Sequence, residues 1–143
     1  AIIRGVMTEF GAVGPGYSIN DAEVDTMFQS YCGERAAYFV VDDGGEIIGG
    51  GGVAPLDGAA PEVCELRKMY FLPRARGRGL GRDMLDRCLA AARELGFARC
   101  YLETLAGMDG ARRLYERAGF RCISEAMGFT GHSSCNRFYV MEL

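Results

Sequence analysis

The sequence lacks four features, and each absence argues against a class of protein. No run of 18 or more apolar residues occurs in the 143-residue chain, which argues against a membrane span. Positive charge is not in excess, because the formal net charge is −3, and this argues against a general nucleic-acid binder. No Cys-x-x-Cys pair occurs among the six cysteines, so they do not indicate a zinc site. No Gly-Lys-Ser/Thr follows a glycine-rich loop, which excludes the P-loop.

The composition is that of one compact domain. Apolar residues make up 49% and charged residues 24% of the chain, and both are ordinary globular values. There is no signal-peptide pattern, internal repeat or long linker, so a single domain over residues 1–143 is expected. Several cysteines lie inside apolar runs, where a free thiol acts as a small hydrophobic group. We therefore expect reduced thiols and a cytoplasmic location rather than disulfides.

Hydrophobic periodicity and turn residues predict a mixed α/β domain. The predicted helices lie at 2–10, from Asn20 or Asp21 to about Cys32, at 79–95 and at 108–119. The predicted strands lie at 36–43, 46–56, 61–73, 97–105, from Phe120 to about Glu125, and 136–143. The order contains one strand–loop–helix crossover, which is typical of an α+β domain with a mixed sheet.

The segment RARGRGLGRD, residues 74–83, runs from the end of the longest predicted strand into the start of the next helix. A helix start offers unpaired backbone N–H groups and a partial positive charge. Glycine lets a ligand approach these groups because it has no Cβ, and arginine adds forked donors. The combination predicts a site for a pyrophosphate or a similar dianion. The expected backbone donors are Gly77, Gly79 and Gly81, and the expected neutralising charges are Arg76, Arg78 and Arg82.

Two segments resemble the GNAT superfamily of acyl-CoA-dependent N-acetyltransferases. ELRKMYFLPRARGRGLG, residues 65–81, is similar to its strand, Arg/Gln-x-x-Gly-x-Gly/Ala loop and helix, with Arg76, Gly79 and Gly81 in place. RRLYERAGF, residues 112–120, resembles its second hallmark, a helix that carries Leu-Tyr and ends in Gly-Phe. The family's first strand is not visible, which is the pattern expected if that strand precedes Ala1.

The resemblance implies a fold, a co-substrate and a reaction. The fold is a mixed, mostly antiparallel sheet that splays between the family's fourth and fifth strands, with helices on both faces. Acetyl-CoA is the implied co-substrate, with its pantetheine arm on the backbone of Met69, Tyr70 and Phe71, where an oxyanion donor is also expected. Its pyrophosphate is expected on the loop from Arg76 through Leu80 to Arg82. The acetyl group would pass directly to an amine in a ternary complex, without a metal ion.

The acceptor is less defined than the donor. A primary amine of a small molecule or an amino acid is the first expectation, and a protein N-terminus or a lysine side chain is the alternative. A non-catalytic acyl-CoA-binding regulatory module is a further alternative. No nucleic-acid or membrane partner is expected, and a homodimer is expected by analogy only.

Two residues are candidates for the chemistry. Tyr115 matches the tyrosine that protonates the departing CoA sulfur in similar enzymes, although a core aromatic is the alternative. Glu65 is a candidate general base, directly or through water, because an ammonium with a pKa of about 10.4 must lose a proton before it attacks. The alternative for Glu65 is a surface salt bridge with Arg67 or Lys68. Strict alternation would place Glu65, Arg67 and Met69 on one face of the strand and Lys68 on the other.

Tyr17, Glu103 and His132 are candidates for binding the acceptor. Glu103 in YLETL is also a rival for the role of general base. His132, the single histidine, lies in a segment that closes over the acceptor in similar folds, and an exposed loop histidine is the alternative. Relatives often carry Asn near the start of the second motif helix, where this chain has Met108 and Asp109. Either Asp109 replaces that Asn or the contact is missing, and cofactor binding is then expected to depend more on the arginine loop.

Overall fold

The chain forms one six-stranded sheet with helices against both faces. The computed structural model describes residues 1–143. The strands are β1 (Ala37–Asp43), β2 (Glu46–Pro55), β3 (Val63–Phe71), β4 (Arg99–Thr104), β5 (Arg121–Ile123) and β6 (Arg137–Glu142). The helices are α1 (Ile2–Glu9), α2 (Met27–Ser30), α3 (Leu80–Glu94) and α4 (Asp109–Ala118). None of the helices combines the length and the apolar character needed to cross a bilayer.

The sheet has the order β1-β2-β3-β4-β6-β5, and only the β3–β4 pair is parallel. These two central strands pair only at their beginnings, from Val63 to Glu65 on β3. Beyond Glu65 they diverge, so the sheet is open along the second half of β3. This confirms the predicted splayed, mostly antiparallel sheet. The splay falls between the chain's third and fourth strands because residues 1–36 contain no strand.

A bulge at Lys68 changes the predicted alternation along β3. Lys68 has a φ of 51°, which non-glycine residues rarely adopt, and the register with β2 shifts opposite it. The Tyr38 hydroxyl donates a hydrogen bond of 2.8 Å to the Lys68 carbonyl. The extra residue turns the Lys68 side chain toward the face of Glu65, while Met69 packs with the main core. The prediction that Met69 shares a face with Glu65, and Lys68 does not, is therefore wrong.

The main core lies between the sheet and the two longer helices, α3 and α4. The buried residues of α3 follow the predicted spacing and are Met84, Leu85, Cys88, Leu89 and Ala92. They pack with sheet residues that include Cys64, Leu66, Cys100 and Leu102. On the opposite face, Ile3 and Met7 of α1 pack near Tyr70. All six cysteines are unpaired; three of them are core residues, Cys32 and Cys122 are exposed, and Cys135 is half-buried.

The segment from Asn20 to Cys32 is not the single helix that its periodicity predicts. A 3-10 turn at Ala22–Asp25 precedes the single turn of α2. The reason lies in tertiary ion pairs, because Asp21 and Glu23 both turn inward to the ammonium of Lys68. These contacts override a local preference that is weak in any case.

The four consecutive glycines of β2 leave room for neighbouring rings. A Cβ on Gly52 would lie 2.5 Å from the Ala37 carbonyl oxygen and 2.5 Å from the Tyr38 ring. We expect Gly52→Ala to lower the free energy of unfolding by about 1–3 kcal/mol, because a paired backbone cannot move away.

Chemical denaturation measures this change, and Gly5→Ala is the matched control. Gly5 lies within α1, and no atom is within 4 Å of an added Cβ. Because alanine is the better helix former, this control should gain roughly 0.5–1 kcal/mol. Equal effects of the two substitutions would contradict the steric explanation.

Candidate active site

Two adjoining cavities open where β3 and β4 diverge. The inner cavity, about 70 Å³, is lined by residues that include Glu65, Lys68, Glu103, His132 and Cys135. The loop cavity, about 440 Å³, extends to the glycine loop and is lined by residues that include Phe71, Arg76, Gly77, Gly81 and Leu114. Both are lined by Val6, Phe10, Met69, Tyr70, Met108 and Tyr115. The splay therefore connects the glycine loop to a group of buried charges.

The glycine loop joins β3 to the start of α3. Gly77 and Gly79 have φ values of 72° and 81°, which glycine adopts without strain. Gly79 is the N-cap of α3, and no side chain caps this helix start. An added Cβ at either glycine would meet no protein atom within 4 Å. The first N–H groups of α3 are therefore available to a ligand that approaches along the loop.

The arginines of the loop are not equivalent. Arg76 donates hydrogen bonds of 2.6 and 2.8 Å to the Glu9 carboxylate and lines the loop cavity. The Arg78 guanidinium lies 3.3 Å from Asp43, and its side chain is about half-exposed. The Arg82 side chain is 80% exposed. The structure therefore places Arg76 at the loop cavity, whereas neither Arg78 nor Leu80 lines either of the two cavities.

Helix α4 adds positive charge that the sequence analysis did not assign to the site. A third groove of about 620 Å³, the outer groove, runs from the glycine loop to α4. Arg113 and Arg117 line it together with Gly79 and Arg82. Their spacing of four residues places both guanidinium groups on one face of the helix, and this was the signal in RRLYER that could have identified them.

Tyr115 lies where the two cavities meet. The residue is 7% exposed, and its ring centroid lies 6.0 Å from that of Phe120 and 6.3 Å from that of Tyr139. Tyr115 is therefore both a core aromatic residue and part of the wall of the two cavities. Burial raises the pKa of the Tyr115 hydroxyl above its ordinary value. The phenol carries its proton at neutral pH, as it would at its ordinary pKa, so a proton is present for transfer to a leaving group, although the raised pKa makes the phenol a weaker acid.

Glu65 is a buried carboxylate in the inner cavity. It accepts a hydrogen bond of 2.6 Å from Nε of Arg67, and its side chain is only 5% exposed. The salt bridge with Arg67 exists, but it is buried rather than on the surface. Burial raises the pKa of the Glu65 carboxyl, against the opposing effect of Arg67. A raised pKa makes the carboxylate a stronger base.

The other acceptor candidates also reach the inner cavity. Tyr17, Glu103 and His132 all line it. The Glu103 carboxylate accepts hydrogen bonds from the Tyr101 hydroxyl at 2.7 Å and the Thr130 hydroxyl at 2.8 Å. His132 is not an exposed loop residue, because its side chain is 12% exposed. Met108 lies at the N-cap of α4 and lines both cavities. Asp109, the alternative polar group for the contact that Asn makes in relatives, lines the loop cavity and lies 3.3 Å from the Arg112 guanidinium.

The charge balance at the inner cavity is negative. The ionisable groups that line it, together with their direct partners, include four carboxylates and only two permanent cations. The carboxylates belong to Asp21, Glu23, Glu65 and Glu103, and the cations are Arg67 and Lys68. Arg67 and Lys68 both contact carboxylates. The site therefore favours a cationic ligand and offers no unpaired permanent cation to an anionic one.

Comparison with known proteins agrees with this geometry. The model of the acetyltransferase (GNAT) family matches residues 6–120. An uncharacterised N-acetyltransferase of Escherichia coli strain K12, YjgM, is 46% identical over 143 residues, which cover 99% of this chain and 86% of that protein.

Solved structures share the fold at low sequence identity. A GNAT-family acetyltransferase from Staphylococcus aureus Mu50 superposes with a TM-score of 0.84 at 20% identity, covering 99% of this chain and 88% of its own. The putative acetyltransferase yncA from Salmonella typhimurium, solved with acetyl-CoA, gives a TM-score of 0.75 at 16% identity, covering 98% of this chain and 83% of its own. The matched family model and the 46% identical relative show that the chain belongs to the acetyltransferase (GNAT) family and is an enzyme of the acyltransferase class.

Proposed function

We propose that the protein transfers the acetyl group of acetyl-CoA to the primary amine of a small molecule. The observation that carries the proposal is the position of Tyr115 between a cavity that ends at the glycine loop and one that contains buried carboxylates. The acetyl-CoA bound to the structurally similar Salmonella protein supports the choice of donor. The six unpaired cysteines support a reducing compartment such as the cytoplasm.

The donor is proposed to bind along the splay. Its pantetheine arm would pair with the backbone of Met69, Tyr70 and Phe71, in the stretch of β3 that has no β4 partner. Its pyrophosphate would accept hydrogen bonds from the first N–H groups of α3. Arg113 and Arg117 in the outer groove would neutralise the remaining phosphate charge.

The acetyl transfer is proposed to need one base and one acid. The Glu65 carboxylate takes a proton from the ammonium, directly or through water, and the neutral amine attacks the thioester carbonyl. A backbone N–H near Met69 or Tyr70 stabilises the oxyanion. The C–N bond forms, the C–S bond breaks, and the Tyr115 hydroxyl donates its proton to the departing thiolate. The positively charged nitrogen of the intermediate loses its second proton through water, which returns a proton to Tyr115, and Glu65 releases the first proton to solvent. The products are the acetylated amine and CoA with a free thiol.

The charge of the inner cavity limits the acceptor. A cationic ammonium is attracted by the excess of carboxylates, whereas an additional carboxylate on the substrate would find no unpaired cation. We therefore propose small amines without a carboxylate as the first acceptors, ahead of amino acids. Protein N-termini and lysine side chains follow, because the inner cavity measures only about 70 Å³.

Release of the CoA thiol across a panel of amines and amino acids tests the proposal. We expect Glu65→Gln to lower kcat about tenfold with little change in acetyl-CoA binding; the loss is modest because Glu103 lines the same cavity. Glu62→Gln is the control, because Glu62 is exposed just before β3 begins. Binding of acetyl-CoA without thiol release in the presence of any amine would overturn the proposed activity.

A further inference from the structure

Three different metal-ligand groups meet on one side of the inner cavity. They are the Glu103 carboxylate, the His132 imidazole and the Cys135 thiol. Glu103 lies on β4, and the other two residues lie in the segment before β6. One ligand atom from each lies within 4.8 Å of the other two. Oε2 of Glu103 is 3.7 Å from Nδ1 of His132. We propose that Glu103, His132 and Cys135 bind a divalent transition-metal ion, with zinc as the best match to this ligand set.

The partners of these groups orient them for metal binding. Nε2 of His132 lies 2.8 Å from Oδ2 of Asp21, and this contact leaves Nδ1 on the side of Glu103. The carboxylate of Glu103 is fixed by the hydroxyls of Tyr101 and Thr130. A carboxylate on the second ring nitrogen and hydrogen bonds to the ligating carboxylate are the usual supports of a metal site.

The segment that carries His132 and Cys135 is held at several points. The N–H of Cys135 donates a hydrogen bond of 3.0 Å to the His132 carbonyl, which closes a turn. The N–H of Ser134 donates to the Gly16 carbonyl at 3.1 Å, and the N–H of Asn136 donates to the Thr104 carbonyl at 3.3 Å. The backbone is therefore fixed against both β4 and the N-terminal loop, and only side-chain rotation is needed to bind an ion.

The required rotation is small. Given zinc–ligand bonds of about 2.0–2.3 Å, the ligand atoms of a tetrahedral ion lie roughly 3.3–3.6 Å apart. Atoms that lie within 4.8 Å of one another must therefore move by about 1 Å, which χ rotations can supply. The fourth coordination position would face the inner cavity, which all three residues line.

Binding of the ion displaces one proton. In the absence of an ion the thiol is protonated, because burial and the nearby Glu103 carboxylate raise the pKa of Cys135 to about 12. The ion forms a bond to the thiolate, and the thiol proton leaves to the buffer. Under the function proposed above, the ion would occupy space needed by the amine, so metal and acceptor should compete while acetyl-CoA still binds.

Titration of the metal-free, reduced protein with Co(II) tests the inference without acetyl-CoA or an amine. We expect one ion per chain with a sulfur-to-cobalt charge-transfer band, which Zn(II) removes by displacement. Cys135→Ser should abolish the band, and in competition with a chelating indicator it should weaken Zn(II) binding by more than the roughly 10- to 100-fold that loss of an outer-shell partner costs. The double substitution Cys32→Ser/Cys122→Ser is the control, because both of these thiols are exposed and should not contribute.

Two results would overturn the inference. One is a wild-type titration without a thiolate band, and the other is a band that survives in the Cys135→Ser protein. Should Cys135→Ser unfold, His132→Asn serves instead, because it keeps the thiol but should shift the band and weaken Zn(II) binding. The titration measures metal binding and not acetyl transfer. A negative result would therefore contradict the metal site without contradicting the proposed activity, and a lack of activity would not contradict the metal site.

Discussion

Gly79→Val is expected to weaken acetyl-CoA binding by more than about 100-fold, because the new side chain would occupy the path of the pyrophosphate. Each hydrogen bond from a backbone N–H to a charged phosphate contributes about 1.5–3 kcal/mol. Loss of two such bonds costs roughly 3 kcal/mol or more, which corresponds to about 100-fold in Kd. Gly79 has open space around its Cβ position, so the cost to the fold should be limited to the strain of the positive φ. Isothermal titration calorimetry measures the change.

Gly96→Val separates the effect on the ligand from that on the backbone. Gly96 follows α3 with a φ of 82°, against 81° for Gly79, and it also has no atom within 4 Å of an added Cβ. Both substitutions therefore impose the same left-handed strain, about 1–2 kcal/mol of stability. Of these two glycines, Gly79 lines the outer groove and Gly96 does not. Wild-type affinity in the Gly79→Val protein, or an equal loss of affinity in the Gly96→Val protein, would contradict the assigned phosphate site.

The features that were predictable from the sequence are local ones. The position of α3, Leu80–Glu94, was predictable from apolar residues that recur every three or four positions. This spacing is expected of a helix that buries one face. The glycine loop before α3 followed from glycines placed just before a helix start, and Gly77 and Gly79 have the positive φ values that favour glycine; phosphate binding by this loop stays a prediction. Tyr115 was found through a motif of adjacent residues, so its position also depended on local information.

The features that were missed depend on contacts between distant parts of the chain. The bulge at Lys68 adds one residue to β3, and a pattern of alternating residues does not show such an insertion. Asp21 leaves the predicted helix to contact Lys68 and His132, which are 47 and 111 residues away along the chain. The group of Glu103, His132 and Cys135 likewise joins a strand to a separate loop, so no spacing in the sequence could indicate it.

Tyr115→Phe is expected to lower kcat by about 10²- to 10⁴-fold, with a much smaller change in the KM for acetyl-CoA. General acid catalysis is typically worth this factor, and the phenylalanine ring keeps the packing against Phe120 and Tyr139. The loss should shrink as the pH rises above the ordinary thiol pKa of about 8.5, because a stable thiolate can leave without receiving a proton. Steady-state release of CoA as a function of pH measures both effects.

Tyr139→Phe is the matched control for this experiment. Tyr139 is fully buried, its hydroxyl donates a hydrogen bond of 2.8 Å to Glu116, and it lines neither of the two cavities. Loss of the Tyr139 hydroxyl should therefore lower the free energy of unfolding by about 1 kcal/mol and leave kcat close to that of the wild type. An unchanged kcat in Tyr115→Phe, or the same loss of kcat in both variants, would show that the Tyr115 hydroxyl does not protonate the departing thiolate. The ring would then act only in packing, and the proton would have to come from solvent.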